Sequence, residues 1–277
     1  MSIKSRTCIR TFSTSGGKEK SIIFQVCPIS GDCHESASGR SLNAVNNAWD
    51  SVDLPQGQAK VHAVRSMFDA IAPRYDLVNR IMTFRLDVRW RRKAIRSLGL
   101  PANSIILDLA SGTGDMCIDL RKAGYQPLSM DLSLGMLIAD RSNAPRTQTD
   151  ILQLPCANNS VDGVTCGFAL RNLLDLNTFF GELSRVTKSG GRIALLDVGI
   201  PTNPFIKWGN SIYFGKIVPR IGGLLSNRAA YNYLPKSVAY LPSPLVMVEM
   251  LKKNGFTSVE HRQLSGGLTQ LLLATKA

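Results

Sequence analysis

Residues 105–115 read IILDLASGTGD, an apolar run that closes on Asp108 and leads into a turn carrying Gly112 and Gly114. A short aliphatic run that ends on glycines marks a buried strand followed by a tight turn. Outward from this strand the pattern alternates: a helix over 116–122, a strand over 127–130, a helix over 134–139, and a short strand before Asp150. It continues with a strand over 161–166, a helix over 177–185 and a strand over 192–197. Strands alternating with helices of this length predict a parallel sheet with helices on both faces, so the fold class is α/β. The chain closes with a helix over 245–253, a stop at Asn254 and Gly255, and two runs, TSVEHRQL and GLTQLLLATK, that suit a terminal hairpin.

The 277 residues are enough for one sizeable core, with material left for a tail or an insert. Hydrophobic residues at 44% and charged residues at 19% exclude a chain that is disordered throughout. Apolar stretches such as SIIF, LVMV and LLLA are all broken by charge, Pro or Gly, so no spanning helix is expected. The net charge of +13 favours an acidic partner, whether nucleic acid, an anionic membrane surface or a phosphorylated ligand, and does not choose among them. Six cysteines without a CxxC pair, and no secretory hydrophobic segment, fit a reducing compartment. Cys27, Cys33 and His34 lack a fourth ligand at suitable spacing, and no metal site is expected.

Residues 1–60, rich in Ser, Gly and Asn, read as a disordered extension, with the folded domain running from about Val61 to the end. The opening MSIKSRTCIRTFSTSGGK is basic, Ser-rich and free of acids, as organellar transit peptides are; a long bacterial start is the alternative. VHAVRSMFDAIAPRYDLVNRIM gives two lead-in helices separated at Pro73. Between Arg74 and Arg96 eight Arg or Lys oppose two Asp, a charge excess that fits a solvated helix face. Residues 201–244 hold six prolines, many aromatics and no acid, and read as a basic insert or lid.

A dinucleotide turn wants GxGxxG, with a third small residue for close helix packing; here Cys117 holds the third place, which argues against NAD. A strand ending in an acid, a GxG turn, and Asp131 after the next strand instead resemble the S-adenosylmethionine enzymes of the Rossmann-like class. Glycines let the backbone approach the amino acid end of the ligand, and Asp131 can accept both ribose hydroxyls. Asp150 beside Ile151 suits a flat base with an exocyclic amine. Taken singly, the glycines read equally as an ordinary turn and Asp131 as a helix cap.

FDAIAPRYDLVN, LDLASGTGD, MDLSLGML, GFALRN, RVTKSGGRIALLDV and YNYLPKSV, in this order between about Arg65 and Lys276, resemble the ubiquinone and menaquinone biosynthesis C-methyltransferases, most closely the demethylmenaquinone methyltransferase branch. GFALRN, RVTKSGGR and YNYLPKSV carry the specificity of this likeness. The resemblance implies a Rossmann-like class I methyltransferase fold with a central, mostly parallel, seven-stranded sheet. It implies S-adenosyl-L-methionine contacts at Asp108, Gly112, Thr113, Gly114, Asp131, Leu132, Asp150, Ile151 and Gly167. It places Arg171, Tyr75 and Asn172 in catalysis and Asp76 and Asn79 on the substrate. The implied reaction moves a methyl group to a ring carbon of a reduced polyprenyl quinone precursor, demethylmenaquinol to menaquinol, with Arg171 stabilising the phenolate-like oxygen. Without the resemblance, Arg171 reads as a structural ion pair or helix cap. Trp208, Tyr213, Phe214, Tyr231, Tyr233 and Tyr240 either line a cleft for the ring and its tail or pack the insert.

Arg85, Asp87 and Val88 depart from the family's usual Gly, His and Arg, and Gln270, Leu271 and Leu272 from its usual Ala, Leu and His. If the last strand adjoins the pocket, Leu272 bears on which acceptor is methylated. A related isoprenoid or polyketide-like quinol, and a non-enzymatic methyltransferase-like assembly role, therefore stay open. No RNA-binding module accompanies the chain, and nucleic acid is not expected as a partner. A polyprenyl substrate and a basic insert lead to an expectation of peripheral contact with anionic membrane, and a homodimer is compatible. The expected location is cytoplasmic, at the inner face of the membrane, or the mitochondrial matrix if the opening segment is a transit peptide.

Overall fold

The structure is a computed structural model that describes residues 8–13, 22–27, 56–213, 218 and 237–277. Its strands are β1 (Cys8–Ser13), β2 (Ile22–Cys27), β3 (Ile105–Leu109), β4 (Gln126–Asp131), β5 (Arg146–Gln148), β6 (Val161–Gly167), β7 (Thr187–Val198), β8 (Phe256–Leu264) and β9 (Thr269–Lys276). They form one sheet in the order β1-β2-β5-β4-β3-β6-β7-β9-β8. From β2 to β7 neighbouring strands run parallel; β1 pairs antiparallel with β2, and the β8–β9 hairpin closes antiparallel on β7.

The seven strands β3 to β9 are those expected from the sequence, and β1 with β2 extends the sheet at the β5 edge. That hairpin lies inside the segment read as an extension. An aliphatic and aromatic run, IIFQVC, supplies the strand-forming residues, and pairing covers an otherwise open edge. The rest of residues 1–55 lies outside the described residues. The helical part begins at Gly57, four residues before the expected start.

The helices are α1 (Gly57–Ile71), α2 (Tyr75–Met82), α3 (Leu86–Leu98), α4 (Asp115–Lys122), α5 (Leu134–Ala139), α6 (Leu176–Val186), α7 (Pro204–Ile212) and α8 (Pro244–Lys253). Alternation along the central strands feeds two cores. Leu107, Leu109, Ile193, Leu195 and Leu272 point toward α6 and α8, where they meet Phe179, Phe180 and Leu251. Ile106, Ala194, Leu196, Leu271 and Leu273 point to the other face and pack on Trp90, Leu98 and Leu120 of α3 and α4. Strands buried on both faces read as near-continuous apolar runs, which is why IILDL and LLLA look alike in sequence. Phe179 and Phe180 are wholly buried, each stabilising the layer by roughly 1.5–3 kcal/mol.

A third cluster sits above the carboxyl edge of the sheet, where Met67 and Ile71 of α1, Val78 and Met82 of α2 and Met136 of α5 pack with Val218. The lead-in helices are thus a cap over that edge. Of the insert, α7, Val218 and the segment from Ser237 onward are described; Phe214, Tyr231 and Tyr233 lie outside the described residues. Among the described residues no helix is long and apolar enough to cross a membrane.

Candidate active site

The strand order reverses between β3 and β6, and open α/β sheets bind ligands in the crevice at such a point, beyond the carboxyl ends of the strands. Two non-glycine residues there are left-handed: Ala110 after β3, with φ 50°, and Phe168 after β6, with φ 61°. Such conformations cost energy and collect at functional sites. Gly114, with φ +82°, has no freedom to be anything else, since a Cβ there would lie 2.2 Å from Asp140 Oδ1.

Two cavities open at this crevice and share Phe68, Tyr75, Ala110, Gly112, Gly167 and Phe168 as walls. The smaller, about 120 Å³, is bordered by Asp131, Leu132, Asp150 and Ile151, with Val61, Val64 and Arg65 of α1 forming its cover. Asp131 Oδ2 accepts the Gly112 N–H at 2.8 Å and Oδ1 accepts the Ser133 N–H at 2.8 Å, which fixes the glycine turn to the end of β4. Burial pushes its pKa up to about 6, against the two backbone donors that favour the charged form. Asp150 Oδ1 accepts the Leu152 N–H, forming a local turn, and Ile151 is buried beside it. A carboxylate with lone pairs to spare, a bare glycine turn and an apolar platform form a donor and shape set that fits a nucleoside with free ribose hydroxyls.

The larger cavity, about 480 Å³, is walled by Met67, Ile71, Met82, Val198, Tyr213 and Leu268, with polar groups at the end nearest the glycine turn. There Thr113 Oγ1 donates to Asp76 Oδ1 at 2.5 Å, and Arg141 pairs with Asp76 from outside. Desolvation raises the Asp76 pKa, opposed by Thr113 and by the flanking arginines. Tyr75 is pushed up from its ordinary value by burial, with an Asn79 hydrogen bond and the Arg171 charge acting the other way. At neutral pH it therefore remains a phenol that donates a hydrogen bond rather than a base. Asp108, sealed beneath the turn, accepts from Thr165 Oγ1 at 2.9 Å and Cys117 Sγ at 3.3 Å, and burial lifts it to about 7.

Arg171 stands on the turn of 3₁₀ helix Leu170–Asn172 just past β6 and lines the larger cavity. It is also a buried ion pair: Nη1 meets Asp197 Oδ1 of β7 and donates to the Phe168 carbonyl at 2.7 Å, while Nε donates to Ser237 Oγ at 3.1 Å. The structural ion pair that the sequence left open is present, and the same side chain borders the larger cavity, held rigid by that pair. Fixing a guanidinium in this way pre-orients its charge without reorganisation.

Several expectations shift. Asn172 borders the smaller cavity rather than the larger one, and Gly114 borders neither, its role being to clear Asp140. Leu272 is wholly buried in the α6 and α8 core, paired with Leu195 and His261, so it does not meet either cavity; the residues of that segment that do are Leu268 and Thr269. Side chains alternate along β9, and the pocket meets only its first residue. Trp208 is exposed, whereas Tyr213 lines the cavity and donates to the Met82 carbonyl at 2.6 Å. Asp87 is a buried cavity wall that accepts from Thr83 Oγ1 and Arg91. Sequence reading missed Lys60 and Asp69, both on α1, and Asp197. Asp69 Oδ1 accepts the Gly135 N–H at 2.9 Å and Ser133 Oγ at 2.5 Å, tying α1 to the start of α5. No periodicity announces such contacts, because the partners lie 26 or more residues away.

The description of the ubiE/COQ5 methyltransferase family matches residues 56–276. The ubiquinone/menaquinone biosynthesis C-methyltransferase UbiE of Syntrophotalea carbinolica is 39% identical over 219 residues, 75% of this chain and 91% of that protein. The demethylmenaquinone methyltransferase of Mycobacterium sp. (strain KMS) is 36% identical over 217 residues, 78% and 94% of the two chains. Among solved structures, a possible histamine N-methyltransferase from Thermotoga maritima aligns with a TM-score of 0.56 at 15% identity over 77% of this chain and 99% of that one. Haemonchus contortus phosphoethanolamine N-methyltransferase 2, in complex with S-adenosyl-L-methionine, aligns with a TM-score of 0.51 at 15% identity over 67% and 52%. The solved structures share the fold; the family match and the relatives above 30% identity carry more, and the chain belongs to the ubiE/COQ5 methyltransferase family.

Proposed function

We propose that this protein transfers a methyl group from S-adenosyl-L-methionine to a ring carbon of a reduced polyprenyl quinone precursor, with demethylmenaquinol as the acceptor. The observation that carries the reading is the pair of joined cavities, a cleft bordered by Asp131 and Ile151 and an apolar chamber that borders Tyr75, Asp76 and Arg171. When bound, S-adenosyl-L-methionine supplies an electrophilic methyl group on its sulfonium. Asp131 holds the ribose, Ile151 packs the base, and Thr113 and Gly112 present the turn to the amino acid end. On the acceptor side Arg171 stabilises negative charge on a ring oxygen, and the Tyr75 hydroxyl donates to it. With the cofactor bound, density pushed from that oxygen onto the neighbouring ring carbon would ready this carbon to take the methyl group, and the ring C–H proton it displaces would pass to solvent as the aromatic ring is restored. Asp76, with its pKa raised, is the acceptor for the hydroxyl proton; Asn172 serves the cofactor side.

A polyprenyl tail requires an exit, and the larger cavity opens beside exposed apolar residues. Phe84 and Ile206 line it, and Phe205 and Trp208 lie on the same α7, exposed at 85% and 70%. Apolar rings at the mouth of a cavity, on a basic acid-free insert, suit seating at an anionic membrane surface. Labelled cofactor supplied with demethylmenaquinol should place the label in the quinol lipid. Labelling of a different isoprenoid would reassign the acceptor, and tight cofactor binding with no labelled lipid would favour the assembly role. Co-sedimentation with anionic vesicles at low salt should exceed that with neutral vesicles, and equal binding would end the membrane reading.

A further inference from the structure

Lys60 is buried, 3% exposed, in the first turn of α1. Lysines are almost never so buried without a paired charge, yet among the described residues no carboxylate forms an ion pair with this one. Its ammonium instead donates to two main-chain carbonyls, Arg171 at 3.0 Å and Leu173 at 3.1 Å, and lies 3.7 Å from the centre of the Tyr240 ring. One cation thus joins α1, the turn after β6, and the 3₁₀ turn Val238–Tyr240 near the end of the insert. The two carbonyls bracket Asn172, which borders the smaller cavity, and Arg171 borders the larger.

The next residues of the same helix, Val61, Val64, Arg65 and Phe68, are the cover of the smaller cavity. At the other end of α1, Asp69 is fastened to Ser133 and Gly135. The cover is therefore held on both sides of the cavity, and neither fastening is made by apolar packing. We propose that Lys60 is a positioning residue that latches α1 over bound S-adenosyl-L-methionine, so that the cofactor leaves only when the ammonium lets go of the Arg171 and Leu173 carbonyls.

A merely structural lysine would behave differently. Desolvation lowers the Lys60 pKa to about 8, while the two carbonyls and the Tyr240 ring hold the cation; an apolar side chain of similar length relieves the first and strips two buried carbonyls of a donor, so stability by itself does not report the latch. A latch, by contrast, acts on release of what lies beneath it. The test uses the full chain and labelled S-adenosyl-L-methionine, with no acceptor present. Lys60→Met should release cofactor roughly tenfold faster or more, with weaker affinity to match, since affinity changes of this kind appear mainly in dissociation. Lys60→Arg, which keeps the cation, should recover most of the loss. Release from Lys60→Met within about twofold of wild type would overturn the latch, as would equal impairment of the Met and Arg variants. Should Lys60→Met fail to fold, Tyr240→Leu removes the ring from the ammonium and should speed release in the same direction; unchanged release would overturn the proposal. Because only the cofactor is assayed, failure of the latch leaves the acceptor assignment standing, and failure of the acceptor assignment leaves the latch.

Discussion

Replacing Asp131 by Asn tests the cofactor site through its pH dependence. In the wild type each carboxylate oxygen accepts one backbone N–H, from Gly112 and Ser133, both at 2.8 Å. An amide must set its NH₂ against one of those donors, so one anchor of the glycine turn is lost together with the charge that receives the ribose hydroxyls. Hydrogen bonds to a charged group contribute about 1.5–3 kcal/mol, which predicts a loss of affinity on the order of 10- to 100-fold at pH 7. The sign with pH follows from the raised pKa of about 6. Only the ionised carboxyl accepts both hydroxyls, so wild-type affinity is full above pH 6 and falls as pH drops through it. By pH 5, about one unit lower, roughly one molecule in ten is ionised and affinity falls about tenfold. Asp131→Asn cannot titrate and should show the weaker affinity with this part of the pH dependence removed. Isothermal titration with S-adenosyl-L-methionine at pH 7 and pH 5 reads both quantities. An Asn variant within about threefold of wild type at pH 7 would refute the assignment of Asp131, and a wild-type affinity unchanged between the two pH values would place its titration below pH 5.

Three further outcomes follow from the packing. Arg171→Ala leaves the wholly buried Asp197 without its cation and should cost about 3–5 kcal/mol in urea denaturation. The double variant Arg171→Met with Asp197→Leu should regain most of that stability without regaining methyl transfer, which separates the structural pair from the chemistry. Gly135→Ala would place a Cβ 2.9 Å from the Asp69 Cα, a backbone atom that cannot yield alone. It should push α1 away from α5, with a stability cost of about 1–3 kcal/mol, and weaken cofactor binding measured by calorimetry. Gly114→Ala meets both a φ of +82° and the Asp140 carboxylate at 2.2 Å; its thermal midpoint should fall, and a midpoint equal to wild type would show that the turn is not as rigid as its contacts imply.

Much of the fold is legible in the sequence because its signals are local. IILDL, the two glycines, and the alternation of short aliphatic runs with helical stretches each state their own conformation. The crevice is legible for the same reason, since Gly112, Asp131, Asp150 and Gly167 lie at or just past the ends of neighbouring parallel strands aligned by register. Leu272 shows where this stops: its strand was readable, but which of its residues meets the pocket depends on how far β9 runs past β7. β1 and β2 were hidden by the polar composition around them.

The sequence by itself determined the α/β class, the strand that carries the glycine turn and the family to which its motifs belong, because strand periodicity and turn chemistry act over a few residues. Only the tertiary structure decided that Arg171 is both a cavity wall and the partner of Asp197, that Lys60 and Asp69 fasten α1 beside the smaller cavity, and that Leu272 belongs to the core. These contacts join residues 26 to 113 positions apart, apart from the packing of Leu272, and they are one buried ion pair and hydrogen bonds made through space, which no local pattern encodes.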